Sequence, residues 1–164
     1  MRDIVKELKQ KKERARISGG LKRQAAQHAK GKLTARERID EFCDVNSFRE
    51  FAGLTGTATY DNATLSSFIP KGSVEGFCSI NGRRVIVNAG DFTVRGGAAD
   101  ASIAQKQIMA EQLANEYRLP LIRLIEGTGG GGSVKSLDID SRTYIPGNPG
   151  WNWVCLLYTS DAAD

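Results

Sequence analysis

The chemistry of this 164-residue chain begins at a run of glycines. Gly127-Thr128-Gly129-Gly130-Gly131-Gly132 follows the apolar segment Leu121-Ile122-Arg123-Leu124-Ile125 without a pause. Glycines at the carboxyl end of a strand let the backbone turn sharply and aim successive N–H groups at one point. Two such donors can hold a developing oxyanion. The run lacks the Lys-Ser/Thr pair that completes a phosphate-binding P-loop and the Gly-x-Gly-x-x-Gly spacing of a dinucleotide fingerprint, so nucleotide binding is disfavoured. A flexible linker remains open on composition alone. A second loop, Gly90-Asp91-Phe92-Thr93-Val94-Arg95-Gly96-Gly97, also follows an apolar segment. Asp91 and Glu126 adjoin the two loops and could act as acid or base, although such residues more often cap local amides.

Side-chain catalysis finds little support elsewhere. The single histidine, His28, sits in a basic stretch, and Cys43, Cys78 and Cys155 have neither short pairing nor metal-ligand spacing. Cys43 and Cys78 read as small buried residues. No Ser or Cys stands in a nucleophile-elbow context. No metal site is expected, and backbone amides are the better chemical reading.

The elements that must position these loops can be read from pattern. Residues 2–16 favour helix, with Ile4 and Leu8 four apart, until Ser18-Gly19-Gly20 ends it. A second basic helix is expected over 21–29. Thr34 followed by Glu37 is a capping-box start for a third, ending near Phe42. From Leu54 the chain turns to β-branched residues, and strands are expected. Segments 73–80 and 83–89 flank Asn81-Gly82, which tolerate positive φ and suit a type I′ hairpin turn. A long helix is expected over 99–117, its apolar face formed by Ala101, Ala104 and Ile108 with Met109, Leu113 and Tyr117. Pro120 and residues 121–125 then read as a buried strand leading into the glycine run. The order strand, strand, helix, strand makes a ββα unit of an α/β sheet, and no internal repeat is visible.

Charge is uneven. Residues 1–38 hold thirteen Lys and Arg against four Asp and Glu, whereas residues 39–154 hold ten against thirteen. The basic arm could meet nucleic acid, an acidic partner or the phosphates of a small ligand, or be a solvated helix face. It carries no aromatic residue, which weakens single-strand binding by stacking. With 40% hydrophobic and 26% charged residues and no apolar run near the length of a membrane span, the chain reads as globular. A secretory signal is absent from the charged N-terminus, so a cytoplasmic location, or a mitochondrial matrix one in a eukaryote, is expected. The last ten residues, CLLYTSDAAD, break the pattern and resemble a translated sequencing adaptor. Residues 155–164 are therefore taken as an adaptor-derived artefact.

Two longer strings carry a resemblance. GGLKRQAAQHAKGKLTARERID at 19–40 and EGFCSINGRRVIVNAGDFTVRGG at 75–97 resemble the carboxyltransferase (β) subunit of biotin-dependent acyl-CoA carboxylases of the propionyl- and methylcrotonyl-CoA type. The likeness covers nearly all of 19–154. It implies a crotonase-like α/β half-domain at 46–154 behind a basic helical arm at 1–45. In that family each chain has two half-domains, the first helping to bind acyl-CoA and the second carboxybiotin. The likeness is to the first, so residues 1–154 alone are expected to lack carboxylase activity.

The implied reaction is transfer of a carboxyl group from carboxybiotin to the α-carbon of an acyl-CoA. Biotin would be attached to a separate carrier, since no Met-Lys-Met biotinylation site occurs here, and would itself serve as the base. Thr128-Gly129-Gly130 matches the Ser-Gly-Gly core of the family's oxyanion loop, so Gly129, Gly130 and Gly131 are the expected catalytic amides. The family's flanking Asp and Arg are not reproduced, which leaves acyl-group preference open. Lys32, Arg36 and Arg38 are expected to hold the CoA phosphates, with Lys32 and Arg36 on one face. Phe92, Gly96 and Gly97 are expected on the substrate side. A biotin carboxylase, a biotin carboxyl carrier subunit and further copies of the full-length chain are the implied partners, without membrane, nucleic acid or metal. A crotonase-type hydratase or isomerase and a basic nucleic-acid-binding module are the competing readings; the GKLTARERI string argues against the first.

Overall fold

The computed structural model describes residues 2–97 and 104–127. Three helices lead: α1 (Arg2–Ile17), α2 (Leu21–His28) and α3 (Ala35–Phe42). Short β1 (Arg49–Glu50) and the hairpin of β2 (Gly56–Asp61) and β3 (Thr64–Pro70) follow. Then come β4 (Ser73–Ile80), β5 (Arg83–Gly90), a 3-10 turn at Arg95–Gly97, α4 (Ala104–Tyr117) and β6 (Leu121–Leu124). The main sheet runs β1-β4-β5-β6, and β2 and β3 pair separately.

Local chemistry explains the boundaries. The Thr34 hydroxyl accepts from the Glu37 amide at 3.3 Å while the Glu37 carboxylate accepts from the Thr34 amide at 2.7 Å, the reciprocal capping box. Those bonds, with His28 at 2.9 Å, hold the Glu37 carboxyl down at about 2. Asn81 and Gly82 take φ of 51° and 77°, and β4 and β5 pair from Ile80↔Arg83 to Ser73↔Gly90. Asp44 accepts from both turn amides at 2.8 Å, so the type I′ turn is braced from α3's end. A second tight hairpin, at Asn62-Ala63 with φ of 45° and 62°, and β1 were not anticipated from pattern.

The β4–β5 hairpin is followed by α4, which crosses over to β6, parallel to β5, because parallel neighbours need a long connection. One face of the sheet packs on α3: Val74, Cys78, Val85, Val87 and Ala89 close against Ala35, Ile39 and Cys43. Cys43 and Cys78 are thus small core residues, and burial pushes the Cys78 thiol up to about 12. The other face packs on α4, where Ile86 meets Ala110 and Ala114, with Phe77, Leu113 and Leu121 alongside.

Two expectations need correction, the apolar face of α4 and the burial of β6. The buried face of α4 runs through Lys106, Ala110, Glu111 and Ala114, while Ile108 and Met109 are half-buried and Tyr117 is exposed. Alanine lets the helix approach the sheet closely, and the two charged groups meet partners there. Ala101 lies outside the described residues. β6 is half-buried rather than buried, because among the described residues it is the sheet's edge, and Ile125 is exposed. Ile4 and Leu8 are exposed, so α1 docks through Ala15 and through polar contacts to the second hairpin: Tyr60 with Lys11 and Glu7, and Arg14 with the Ser66 carbonyl.

Candidate functional site

The two glycine loops meet at the carboxyl ends of β5 and β6. Gly97 has φ of +69°, and a Cβ there would lie 2.5 Å from the Glu126 carbonyl and 2.8 Å from the Gly127 Cα. A Cβ on Gly90 would lie 3.0 Å from the same carbonyl. Gly97 therefore excludes a side chain so that the loops can touch, and Gly90 would take one only if Glu126 gave way by a few tenths of an ångström.

The helical arm builds the wall behind this junction. Gly19 donates to the Thr93 hydroxyl at 3.1 Å and Arg23 to the Thr93 carbonyl at 3.2 Å. A Cβ on Gly19 would sit 1.9 Å from that carbonyl, so the turn between α1 and α2 can dock only with glycine. Gln27, almost fully buried, donates to Glu126 at 2.8 Å. Arg38, from α3, pairs with Glu126 at 3.3 Å, donates to the Leu124 carbonyl at 3.2 Å, and donates to the Gly90 carbonyl. One guanidinium thus ties the last residue of β5 to the last residue of β6.

Asp91 and Glu126 have local work. Asp91 is buried and accepts from the Thr93 amide at 2.9 Å and the Thr93 hydroxyl at 2.5 Å, capping the loop. Glu126 is the shared acceptor for Gln27, Lys32 and Arg38.

The expected phosphate contacts divide. Lys32 precedes α3, is the most exposed of the three, lies 3.3 Å from Glu126, and sits 5.9 Å from the Phe92 ring centroid. Arg36 is held by both oxygens of Glu50 at 2.8 and 3.0 Å, and lines a cleft of about 260 Å³ with Lys12 and Arg16. The shared face expected for Lys32 and Arg36 does not form, because Lys32 lies outside the helix and the two cations meet different carboxylates. Gly97 falls at the loop junction with Gly96 just before it, and Phe92 lies near Lys32; Gly129, Gly130 and Gly131 lie outside the described residues.

Pattern reading missed a polar row beneath the junction, buried at Glu75 and Asn88 and exposed at Arg123. Glu75, Asn88 and Arg123 are register partners across β4, β5 and β6. Glu75, with no exposed surface, accepts from Ser73 at 3.1 Å and from Asn88 at 2.6 Å, and its burial pushes the carboxyl up to about 7. From α4, buried Lys106 donates to the Ser73 carbonyl at 2.5 Å, and buried Glu111 pairs with Arg123. The signal was available: a turn centred on Asn81-Gly82 places Glu75 opposite Asn88. Among the described residues, no group of His, Cys, Asp and Glu could hold a metal, and no helix is long and apolar enough to cross a membrane.

The mixed helix-and-sheet architecture is of the crotonase-like α/β type that carboxyltransferase chains share. The carboxyl transferase domain model matches residues 26–142, and the chain belongs to that family. It is 39% identical over 130 residues to the propionyl-CoA carboxylase carboxyltransferase subunit of Haloferax mediterranei, covering 79% of this chain and 25% of that one. It is 32% identical over 140 residues to the mitochondrial methylcrotonoyl-CoA carboxylase beta chain of Dictyostelium discoideum, covering 85% and 23%. Among solved structures, the transcarboxylase 12S hexamer assembly with methylmalonyl-coenzyme A and methylmalonic acid bound superposes with a TM-score of 0.69 at 27% identity, covering 95% of this chain and 29% of that one. The chain spans about a quarter of the length of the curated relatives it matches.

Proposed function

We propose that this chain is the acyl-CoA-binding part of a carboxyltransferase that moves a carboxyl group from carboxybiotin to the α-carbon of an acyl-CoA. The observation that carries the reading is the family match across residues 26–142, which takes in both glycine loops. Carboxybiotin is a co-substrate brought on a separate carrier, charged by a biotin carboxylase. In the reaction the α-carbon loses a proton, the N–C bond of carboxybiotin breaks, and a C–C bond forms to the carboxyl carbon, the proton ending on the released biotin.

This chain's part is to bind the thioester and to stabilise the enolate oxygen. Gly129 and Gly130, with Gly131 beside them, supply the amide donors, and the absence of Cβ atoms lets both N–H groups face one oxygen. The contact of Gly97 with Glu126 and Gly127 fixes the chain just ahead of these residues. Lys32 is the cation most available to the CoA phosphates; Phe92, Gly96 and Gly97 border the thioester. The full-length protein assembles from several copies, and its location is the cytoplasm, or the mitochondrial matrix in a eukaryote.

The test is Gly130→Val in the full-length protein, supplied with biotin carboxylase, biotinylated carrier, bicarbonate and ATP. Loss of one oxyanion donor costs about 10²–10³ in kcat, so turnover should fall by about 100-fold or more while CoA still binds. Normal turnover would remove the loop from the mechanism. The relatives' names point to propionyl-, methylcrotonoyl- and methylmalonyl-CoA as the first substrates to try.

A further inference from the structure

We propose that Lys106, bonded to the Ser73 carbonyl and facing Glu75, is a positioning residue for the thioester chemistry, fixing α4 against the carboxyl end of the sheet where the two glycine loops meet. The inference rests on the carboxyltransferase reading and adds to it a residue that touches neither substrate nor loop.

Four observations lead there. Lys106 is only 5% exposed, and a buried ammonium is costly to hold unless paired and hydrogen-bonded. Its partner at 2.5 Å is the carbonyl of Ser73, the residue opposite Gly90 in the β4–β5 ladder. Gly90 opens the loop that ends at Gly97 and stands against Glu126, so the Lys106 bond is one strand pairing from the junction. Finally, Glu75 is oriented by Ser73 and Asn88 through one carboxylate oxygen, while the other is buried without a hydrogen-bond partner. A carboxylate fixed in this way supplies charge to its surroundings, and buried Lys106 is a cation that feels it.

The row is charge-balanced from every side that packs on it. Lys106 and Glu111 face it from α4, Glu75 from β4 and Arg123 from β6, with the Glu50–Arg36 pair from β1 and α3 close enough to act on Lys106. Burial raises the Glu75 carboxyl to about 7 and lowers the Lys106 ammonium from its usual range, each opposed by the other's charge. Acidification through neutrality therefore neutralises Glu75 and leaves Lys106 without its counter-charge.

The experiment uses the full-length protein in the coupled carboxylation assay, with Lys106→Met and Glu75→Gln as near-isosteric changes. Lys106→Met is expected to lower kcat about tenfold or more while the acyl-CoA KM stays within about threefold. The wild-type kcat should fall as pH drops through about 7, whereas Glu75→Gln should be low and flat over the same range. Hydrogen exchange read by mass spectrometry supplies an arm independent of turnover: Lys106→Met should speed exchange at the N-terminal part of α4 and leave α3 unchanged. Wild-type kcat in Lys106→Met, an unaltered acidic limb in Glu75→Gln, or unchanged α4 exchange overturns the proposal. Should Lys106→Met lose its fold altogether, the Glu75→Gln profile decides. Should the wild-type protein carboxylate no acyl-CoA, the carboxyltransferase reading fails, and the exchange arm still decides whether Lys106 fixes α4.

Discussion

Arg38 and Glu126 form an ion pair at 3.3 Å that joins a helix of the N-terminal arm to the residue just ahead of the glycine run. The same guanidinium donates to the Gly90 and Leu124 carbonyls, so three acceptors from two strand ends converge on one side chain. A planar fork of donors suits this task, and an ammonium on a flexible stem does not.

Arg38→Ala should therefore destabilise the fold by about 3 kcal/mol, the scale of stripping a partly buried charge-assisted network from its acceptors. Arg38→Lys should recover only part of that. Urea denaturation midpoints of the three proteins check the order; an alanine variant as stable as wild type would show that the strand ends do not depend on Arg38.

Gly97→Ala tests the loop junction. Its φ of +69° disfavours any L side chain, and the added carbon would lie 2.5 Å from the Glu126 carbonyl, so a cost of about 2 kcal/mol or more is expected from strain and displacement together. Gly82→Ala is the control: its φ is +77° but nothing lies within 4 Å of the added carbon, which leaves roughly 1 kcal/mol of backbone strain alone. Thermal melts should rank Gly97→Ala clearly below Gly82→Ala, and equal melting temperatures would mean the loops part freely.

Those two positions also show how far the sequence could be read. The Asn81-Gly82 turn was legible because two residues determine it, and with it came the whole β4–β5 register. The Thr34–Glu37 capping box was legible for the same reason. The Gly97–Glu126 contact was not, since it joins residues 29 apart in sequence through a crossover whose geometry no local pattern states. The buried face of α4 was misread because Lys106 and Glu111 look like solvent-facing residues until partners on β4 and β6 are placed opposite them. The Arg36–Glu50 pair was not legible either, because Glu50 comes from a two-residue strand too short to leave a pattern.

Lys32 and Arg36 should respond differently to charge reversal. Lys32 is 58% exposed on its side chain, so Lys32→Glu should raise the acyl-CoA KM and leave kcat near wild type, the signature of lost uniform binding. Arg36→Glu would instead set a second carboxylate beside Glu50 at a pair only about one-quarter exposed, and should lower stability before it alters kinetics. Steady-state kinetics with parallel melting curves separate the two; an unchanged KM in Lys32→Glu would return that lysine to the role of a partner for Glu126.

Glu75 should leave a mark on stability as a function of pH. Its carboxyl sits at 4.5 in the unfolded chain and at about 7 in the fold, so between these values the folded protein binds the extra proton and the unfolded chain does not. Stability from this group is therefore greatest below the lower value and declines as pH rises through the window, reaching its full loss above the upper one. The shift corresponds to about 3 kcal/mol at 1.36 kcal/mol per pH unit. Glu75→Gln cannot ionise and should lack this decline, so the difference in unfolding free energy between variant and wild type should grow in the variant's favour as pH rises from 4.5 to 7. Denaturant titrations at several pH values read that slope directly. Parallel pH dependences in the two proteins would mean that Glu75 titrates as an ordinary carboxyl, and that its charge is stabilised in the fold as well as in water.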